Sequence, residues 1–153
     1  MSLIGHAAPP FTLTSHERKA VSLADLRGKK VILAFYPAAF TGVCEKELCS
    51  FRDQLTTLNA ANAVVLGVST DGIFANGAFA KQTGVTYPLL SDLGGAVSKA
   101  YGGVLENFAG VPGYTASKRA VYVVGPDGNV TYEWVGANPG IEPDYTAVLA
   151  AVS

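Results

Sequence analysis

Cys44 and Cys49 are the residues of this chain best suited to covalent chemistry. They are its only 2 cysteines, too few for a disulfide-stapled scaffold. In a reducing compartment, two nearby thiols suggest redox chemistry or metal binding rather than architecture. Cys44 closes the stretch Phe35-Tyr36-Pro37-Ala38-Ala39-Phe40-Thr41-Gly42-Val43-Cys44, where an apolar run stops and a helical pattern begins. Three features there favour thiolate over thiol. A helix start presents unpaired backbone N–H groups, the helix dipole adds partial positive charge, and Thr41 can place a hydroxyl on the sulfur from three residues upstream. The thiolate is the nucleophilic form of cysteine. Pro37 fixes φ and removes an N–H, stiffening the loop that leads into the helix. On these residues alone a second reading stands beside the first, in which Cys44 is a small buried hydrophobe and Thr41 only a helix cap. The histidines His6 and His16 form no His-x3–5-His pair, and Cys-x4-Cys is not zinc spacing, so no metal site is expected.

The elements that must position these groups can be read as hydrophobic patterns. Residues 30–36 are nearly continuously apolar, the pattern of a strand buried on both faces. Between residues 41 and 59, Leu48, Phe51, Leu55 and Leu58 recur at three- and four-residue steps, which predicts one amphipathic helix. Residues 63–69 form a second apolar run. A strand–helix–strand order with so long a crossover predicts a parallel pair. Residues 9–14 and 20–22 read as short strands around a polar turn, followed by a helical turn over 23–26 capped by Ser22. Residues 75–82 predict a helix closed by Gly84, and residues 86–90 a short edge strand, because Pro88 cannot donate to a ladder. Residues 95–101 read as a short helix. Residues 119–124 and 130–135 flank the turn Gly125-Pro126-Asp127-Gly128-Asn129 and predict an antiparallel hairpin, with a last helix over 144–152. The sum is an α/β fold with a central mixed sheet flanked by helices and an N-terminal β-hairpin. That order resembles a thioredoxin-like fold, as a single domain over residues 1–153.

Composition narrows the function classes. The chain is 49% hydrophobic but only 15% charged, against a usual charged share of about 25%, so a disordered charged chain is excluded. A formal net charge of -1 gives no global field to draw in nucleic acid or anionic lipid. No run approaches the roughly 18–20 apolar residues of a membrane span, and the start Met1-Ser2-Leu3-Ile4-Gly5-His6 lacks the pattern of a signal peptide. The expectation is a cytoplasmic protein with no nucleic-acid or membrane partner. Gly94-Gly95 and Gly102-Gly103 lack the strand–glycine–helix pattern of a phosphate loop. Asn129-Val130-Thr131 matches a glycosylation acceptor by letter but reads as turn and strand.

The segment around Cys44 resembles the peroxiredoxin family. Its signature Pro-x-x-x-Thr-x-x-Cys is matched by Pro37, Thr41 and Cys44 on the expected strand–loop–helix, and Glu47 matches a common family position. The similarity continues through Ser69-Thr70-Asp71, Tyr87-Pro88-Leu89-Leu90-Ser91-Asp92, and Arg119 leading into Pro126-Asp127-Gly128, so it covers roughly residues 3–150. Cys-x-x-x-x-Cys followed by Ser50-Phe51-Arg52-Asp53 looks like the Q-type, bacterioferritin-comigratory branch, with some similarity to the one-cysteine E-type branch. Glu45 departs from the Thr or Pro often found after the peroxidatic cysteine.

The resemblance implies a thiol peroxidase that reduces hydrogen peroxide and organic hydroperoxides without haem, flavin or metal cofactor. Cys44 would attack the peroxide, with Thr41, Arg119 and the Cys44 backbone N–H holding its oxygens and Pro37 shielding the sulfenic acid. Cys49 would resolve Cys44 as a disulfide, and thioredoxin or a similar dithiol protein would reduce it, in a monomer or homodimer. By sequence alone Arg119 would be a solvated residue at a strand entrance; the resemblance brings it to Cys44. If the cysteines pair, geometry adds a condition. Five helical residues separate Cα atoms by roughly 8–9 Å, and a disulfide needs less than about 7 Å. The helix must therefore unwind. Alternatives are a one-cysteine enzyme using an external thiol, a thiol–disulfide oxidoreductase (disfavoured by the lack of Cys-x-x-Cys), and a redox-regulated holdase exposing Leu48 and Phe51 when oxidised.

Overall fold

The computed structural model describes residues 2–153. In chain order its main elements are β1 (Thr12–Ser15), β2 (Ala20–Ser22), β3 (Lys30–Phe35), α1 (Gly42–Asp53), α2 (Leu55–Ala60), β4 (Ala63–Ser69), α3 (Ile73–Thr83), β5 (Leu89–Ser91), α4 (Ala96–Ala100), β6 (Val104–Leu105), β7 (Ala116–Ser117), β8 (Ala120–Val124), β9 (Val130–Val135) and α5 (Tyr145–Ala151). A 7-stranded sheet runs in the order β2-β1-β5-β4-β3-β8-β9, and β6 and β7 pair separately. Strands β3, β4 and β5 are parallel, while β1 and β8 join them antiparallel. This is the expected mixed α/β sheet of thioredoxin-like type, with its N-terminal hairpin β1–β2. Among the described residues no helix is long and apolar enough to cross a membrane.

The apolar run of β3 is buried on both faces because successive side chains of a strand point to opposite sides. Ile32, Ala34 and Tyr36 face one core layer with Leu48 and Phe51 of α1, Phe79 of α3 and Val148 of α5. Val31, Leu33 and Phe35 face the other, with Phe11, Leu23, Tyr101 and Tyr122. The sheet and α1 meet closely at Gly67, where a Cβ would come 2.6 Å from Leu89 Cδ2 and 3.3 Å from Tyr36 Cε1.

Four expectations are corrected. The single helix over 41–59 is two, broken at Gln54. At Gln54 (φ -96, ψ 3) the amide bonds to the Phe51 carbonyl, three residues back, at 3.2 Å, and an apolar period does not register so local a break. The strand Thr86–Leu90 was expected at an edge, but β5 is internal, between β1 and β4. Pro88 lies one residue before the ladder, where its missing N–H costs nothing, and its carbonyl accepts from Gly67 N at 3.0 Å. Strand β1 begins at Thr12 rather than residue 9, since Pro9 and Pro10 have no N–H to pair. Ser22 makes no cap; its hydroxyl pairs with that of Thr12 at 2.7 Å. Helices α3, α4 and α5 match their expected positions within two residues at each end, with Gly84 closing α3 at φ 74 and Asp144 capping α5 through Ala147 N.

Gly67→Ala should cost about 1–3 kcal/mol by overpacking. Urea denaturation checks this; an unchanged midpoint would show that Leu89 and Tyr36 yield freely.

Candidate active site

Helix α1 starts where the chain leaves β3 at the C-terminal edge of the sheet. Its inward stripe is Cys44, Glu47, Leu48 and Phe51, the i, i+3, i+4, i+7 positions of a buried helical face. Three of these are apolar side chains in the core; the fourth, Glu47, is a carboxyl with 0% exposure. That stripe carries Cys44 below the surface, and its residue exposure is also 0%.

Arg119 reaches the same place from the sheet. It immediately precedes β8, and the strand alternation that exposes Lys118 buries Arg119, at 3% exposure. Its backbone is held by Gly136 N donating to its carbonyl at 2.9 Å. The guanidinium donates through Nη2 to Cys44 Sγ at 3.0 Å, through Nη1 to Glu47 Oε1 at 3.1 Å, and through Nε to the Pro139 carbonyl at 3.1 Å. One planar fork thus joins the sulfur, the buried acid and the loop after β9.

Burial pushes the Glu47 carboxyl up to about 8, with the Arg119 guanidinium opposing the rise. Burial wins because a carboxylate removed from water loses its solvation on all sides. Its Oε2 has no hydrogen-bond partner among the described residues. Arg119 thus faces the buried acid through one nitrogen and the sulfur through another.

Thr41 corrects an expectation. Its hydroxyl was expected on the sulfur, but Oγ1 donates to the Ala38 carbonyl at 3.0 Å, and it makes no side-chain cap bond to α1. The carbonyl of the turn leaving β3 competes for the hydroxyl proton. Thr41 still lines, with Pro37, Gly42, Val43, Phe108, Arg119, Pro139 and Gly140, a cavity of about 260 Å³ at the mouth of the site. Pro37, Thr41 and Arg119 thereby share one cavity; Cys44 is not among its lining residues and adjoins it through Arg119. Cys49 lies further along α1, half-buried, and both cysteines are free. Burial pushes its thiol up, against the pull of Arg52.

Sequence reasoning missed three contributors. Glu47 was matched only as a family position, although a lone acid inside an apolar helical stripe was the available signal. Phe108 was not singled out; it sits in a loop of left-handed residues, Asn107 at φ 52 and Ala109 at φ 57, which turns its ring toward the cavity and against Tyr114. Asp71 was quoted only for likeness, yet its Oδ2 accepts from Ala39 N at 2.8 Å and Ser69 Oγ at 2.8 Å, fixing the loop before Cys44. That loop includes Phe40, strained at φ 66. Among the described residues no group of three or more His, Cys, Asp or Glu is placed to hold a metal ion.

A thioredoxin-like sheet carrying a buried cysteine at a helix start, bonded to an arginine from the neighbouring strand, defines a thiol-redox protein. The AhpC/TSA family model matches residues 4–133, and the chain belongs to that family, the peroxiredoxins, as a thiol peroxidase. A relative from Coxiella burnetii, named for peroxiredoxin bcp, is 37% identical over 131 residues, covering 86% of this chain and 87% of that protein. Peroxiredoxin Q of Sedum lineare, a chloroplastic protein, is 40% identical over 126 residues, covering 82% of this chain; the chain spans only 65% of that relative's length. The crystal structure of peroxidoxin BcpB from Mycobacterium tuberculosis superposes with a TM-score of 0.86 at 29% identity, covering 99% of this chain and 97% of that one. The Q-type resemblance and the thioredoxin-like fold are both sustained by these relatives. Membership implies a peroxide substrate and a thiol reductant.

The buried acid carries a sign that can be checked. Its folded value lies above its ordinary 4.5, so its contribution to stability is complete below pH 4.5 and is lost as pH rises toward about 8. Glu47→Gln, neutral at every pH, should lose less stability than the native chain between pH 5 and 8. Denaturation midpoints across that window decide it; parallel curves would show that Glu47 does not titrate there.

Proposed function

We propose that Cys44 is the peroxidatic cysteine, that Cys49 resolves it, and that the reductant is thioredoxin or a similar dithiol protein. The observation that supports this most is the 3.0 Å contact to the buried Cys44 Sγ from Nη2 of Arg119, a residue that lines the cavity. A guanidinium there stabilises a thiolate and donates to the oxygen that acquires charge as the O–O bond breaks. The Thr41 hydroxyl spends its proton on Ala38 and keeps lone pairs to accept from the peroxide O–H. Pro37 and Phe108 supply apolar walls that suit the alkyl arm of an organic hydroperoxide as well as hydrogen peroxide.

Attack by Cys44 sulfur on the terminal peroxide oxygen gives Cys44 sulfenic acid and releases water or an alcohol. The Cys49 sulfur then displaces that oxygen as water, forming the disulfide, which thiol–disulfide exchange returns to two thiols. The raised Cys49 thiol fits a residue that stays protonated until the helix opens and its burial is relieved. Residues 1–153 act as one domain in this reading, supported by the single 7-stranded sheet that joins strands from β1 through β9, with only β6 and β7 paired apart. The two free thiols suit a reducing compartment such as the cytoplasm, and the chemistry is complete within one copy, whether monomer or homodimer.

Cys44→Ser should abolish peroxide consumption. Cys49→Ser should keep the first oxidation of Cys44 at its native rate and lose thioredoxin-linked turnover. Intact mass after one equivalent of peroxide separates the alternatives: a loss of two hydrogens marks the disulfide, whereas a gain of one oxygen in the native chain marks an enzyme resolved by an external thiol. Full thioredoxin-linked turnover in Cys49→Ser would remove Cys49 from the cycle.

A further inference from the structure

Tyr87 has no part in the chemistry above, yet its phenol ends on the cysteine helix. The ring is buried, at 4% exposure, in the residues leading into β5, and Oη donates to the Leu48 carbonyl of α1 at 2.7 Å. The Leu48 carbonyl and the Cys49 amide belong to one rigid peptide plane. Cys49 therefore cannot turn toward Cys44 without rotating that plane and breaking the Tyr87 bond. A second anchor lies upstream, where Asp71 holds Ala39 N, itself bonded to Ser69 at the end of β4. Between the two anchors run residues 40–47, the loop and first helical turns that carry Cys44.

We propose that Tyr87 is a positioning residue for the resolving step: it clamps the Leu48–Cys49 peptide, keeps the helix folded for peroxide attack, and limits the rate at which Cys49 reaches Cys44. The inference rests on Cys49 being the resolving thiol. In the step it governs, the Cys49 sulfur attacks the sulfur of Cys44–SOH; an S–S bond forms, the S–O bond breaks, and the departing oxygen leaves as water with the Cys49 proton. While the clamp holds, the sulfenic acid persists and stays open to a second peroxide, which would make it a sulfinic acid. The Tyr87 hydroxyl thus sets the division between disulfide and overoxidation.

Tyr87→Phe removes the hydroxyl and keeps the ring. Stopped-flow and quenched mass measurements on the full chain should give an unchanged rate of Cys44 oxidation. Disulfide formation should be about fivefold faster, the effect of losing one buried hydrogen bond, and the sulfinic fraction at excess peroxide should fall in proportion. Val130→Ala, a cavity in the core layer on the opposite face of the sheet from α1, serves as the control for general loosening and should leave the resolving rate unchanged. An equal or slower disulfide rate in Tyr87→Phe overturns the proposal, as does equal acceleration in the control. If the native chain forms no disulfide, the reading of Cys49 fails and takes the proposal with it; if the native chain forms it and Tyr87→Phe changes nothing, only the clamp fails. Should Tyr87→Phe not fold, hydrogen exchange of the reduced native chain decides. The Arg52 amide, which the helical i→i−4 pattern pairs to the clamped Leu48 carbonyl, should exchange about fivefold more slowly than the Leu48 amide, the effect of one added hydrogen bond. Equal exchange at the two overturns the clamp.

Discussion

The site depends on one guanidinium held almost entirely out of water. Arg119 bonds the Cys44 sulfur, the Glu47 carboxyl and the Pro139 carbonyl at once, so α1, β8 and the loop after β9 meet on its three nitrogens. A charge this buried is costly unless every side of it is answered. The answer comes from three kinds of group: a backbone carbonyl, a buried acid and a sulfur. The same desolvation that makes the arrangement expensive makes its electrostatics strong, because little solvent intervenes between nitrogen and sulfur.

The rest of the fold serves that geometry in two opposed ways. The parallel strands β3 and β4 end together beneath the cysteine loop, and Gly67 lets Leu89, Tyr36 and Leu48 close up so that α1 lies tight on the sheet. Leu48 and Phe51 bury that contact. Yet the proposed disulfide requires the helix to open, since intact α-helical geometry keeps residues five apart beyond bonding distance. Tight packing and required opening share one segment, which is why polar anchors such as Asp71 and Tyr87, each breakable singly, matter there more than further apolar contact would.

Much of this was legible in the sequence, and the exceptions have physical causes. The apolar runs of β3 and β4 and the Gly125–Asn129 turn between β8 and β9 are local signals, and each element formed where it was expected. Pro37, Thr41 and Cys44 lie close in the chain, and resemblance brought Arg119 to them across 75 residues. What periodicity does not encode is the choice among competing polar partners. Thr41 gives its hydroxyl proton to the Ala38 carbonyl rather than to the sulfur; Ser22 took Thr12 rather than its own helical turn. The internal place of β5 was hidden because a proline restricts only its own N–H, and the ladder begins one residue later. Glu47 and Phe108 act through contacts that arise only when distant segments fold together.

The claim that the guanidinium organises the sulfur for attack is tested most directly by the rate of Cys44 oxidation in Arg119→Lys, measured by stopped flow in a Cys49→Ser background. Lysine keeps the charge but cannot bond Cys44, Glu47 and Pro139 from one plane. The account predicts that the second-order rate with hydrogen peroxide falls about a hundredfold, the loss typical of removing a donor aimed at developing charge, at a temperature where circular dichroism shows the variant folded. A native rate in the lysine variant would contradict it and leave the arginine a structural tie.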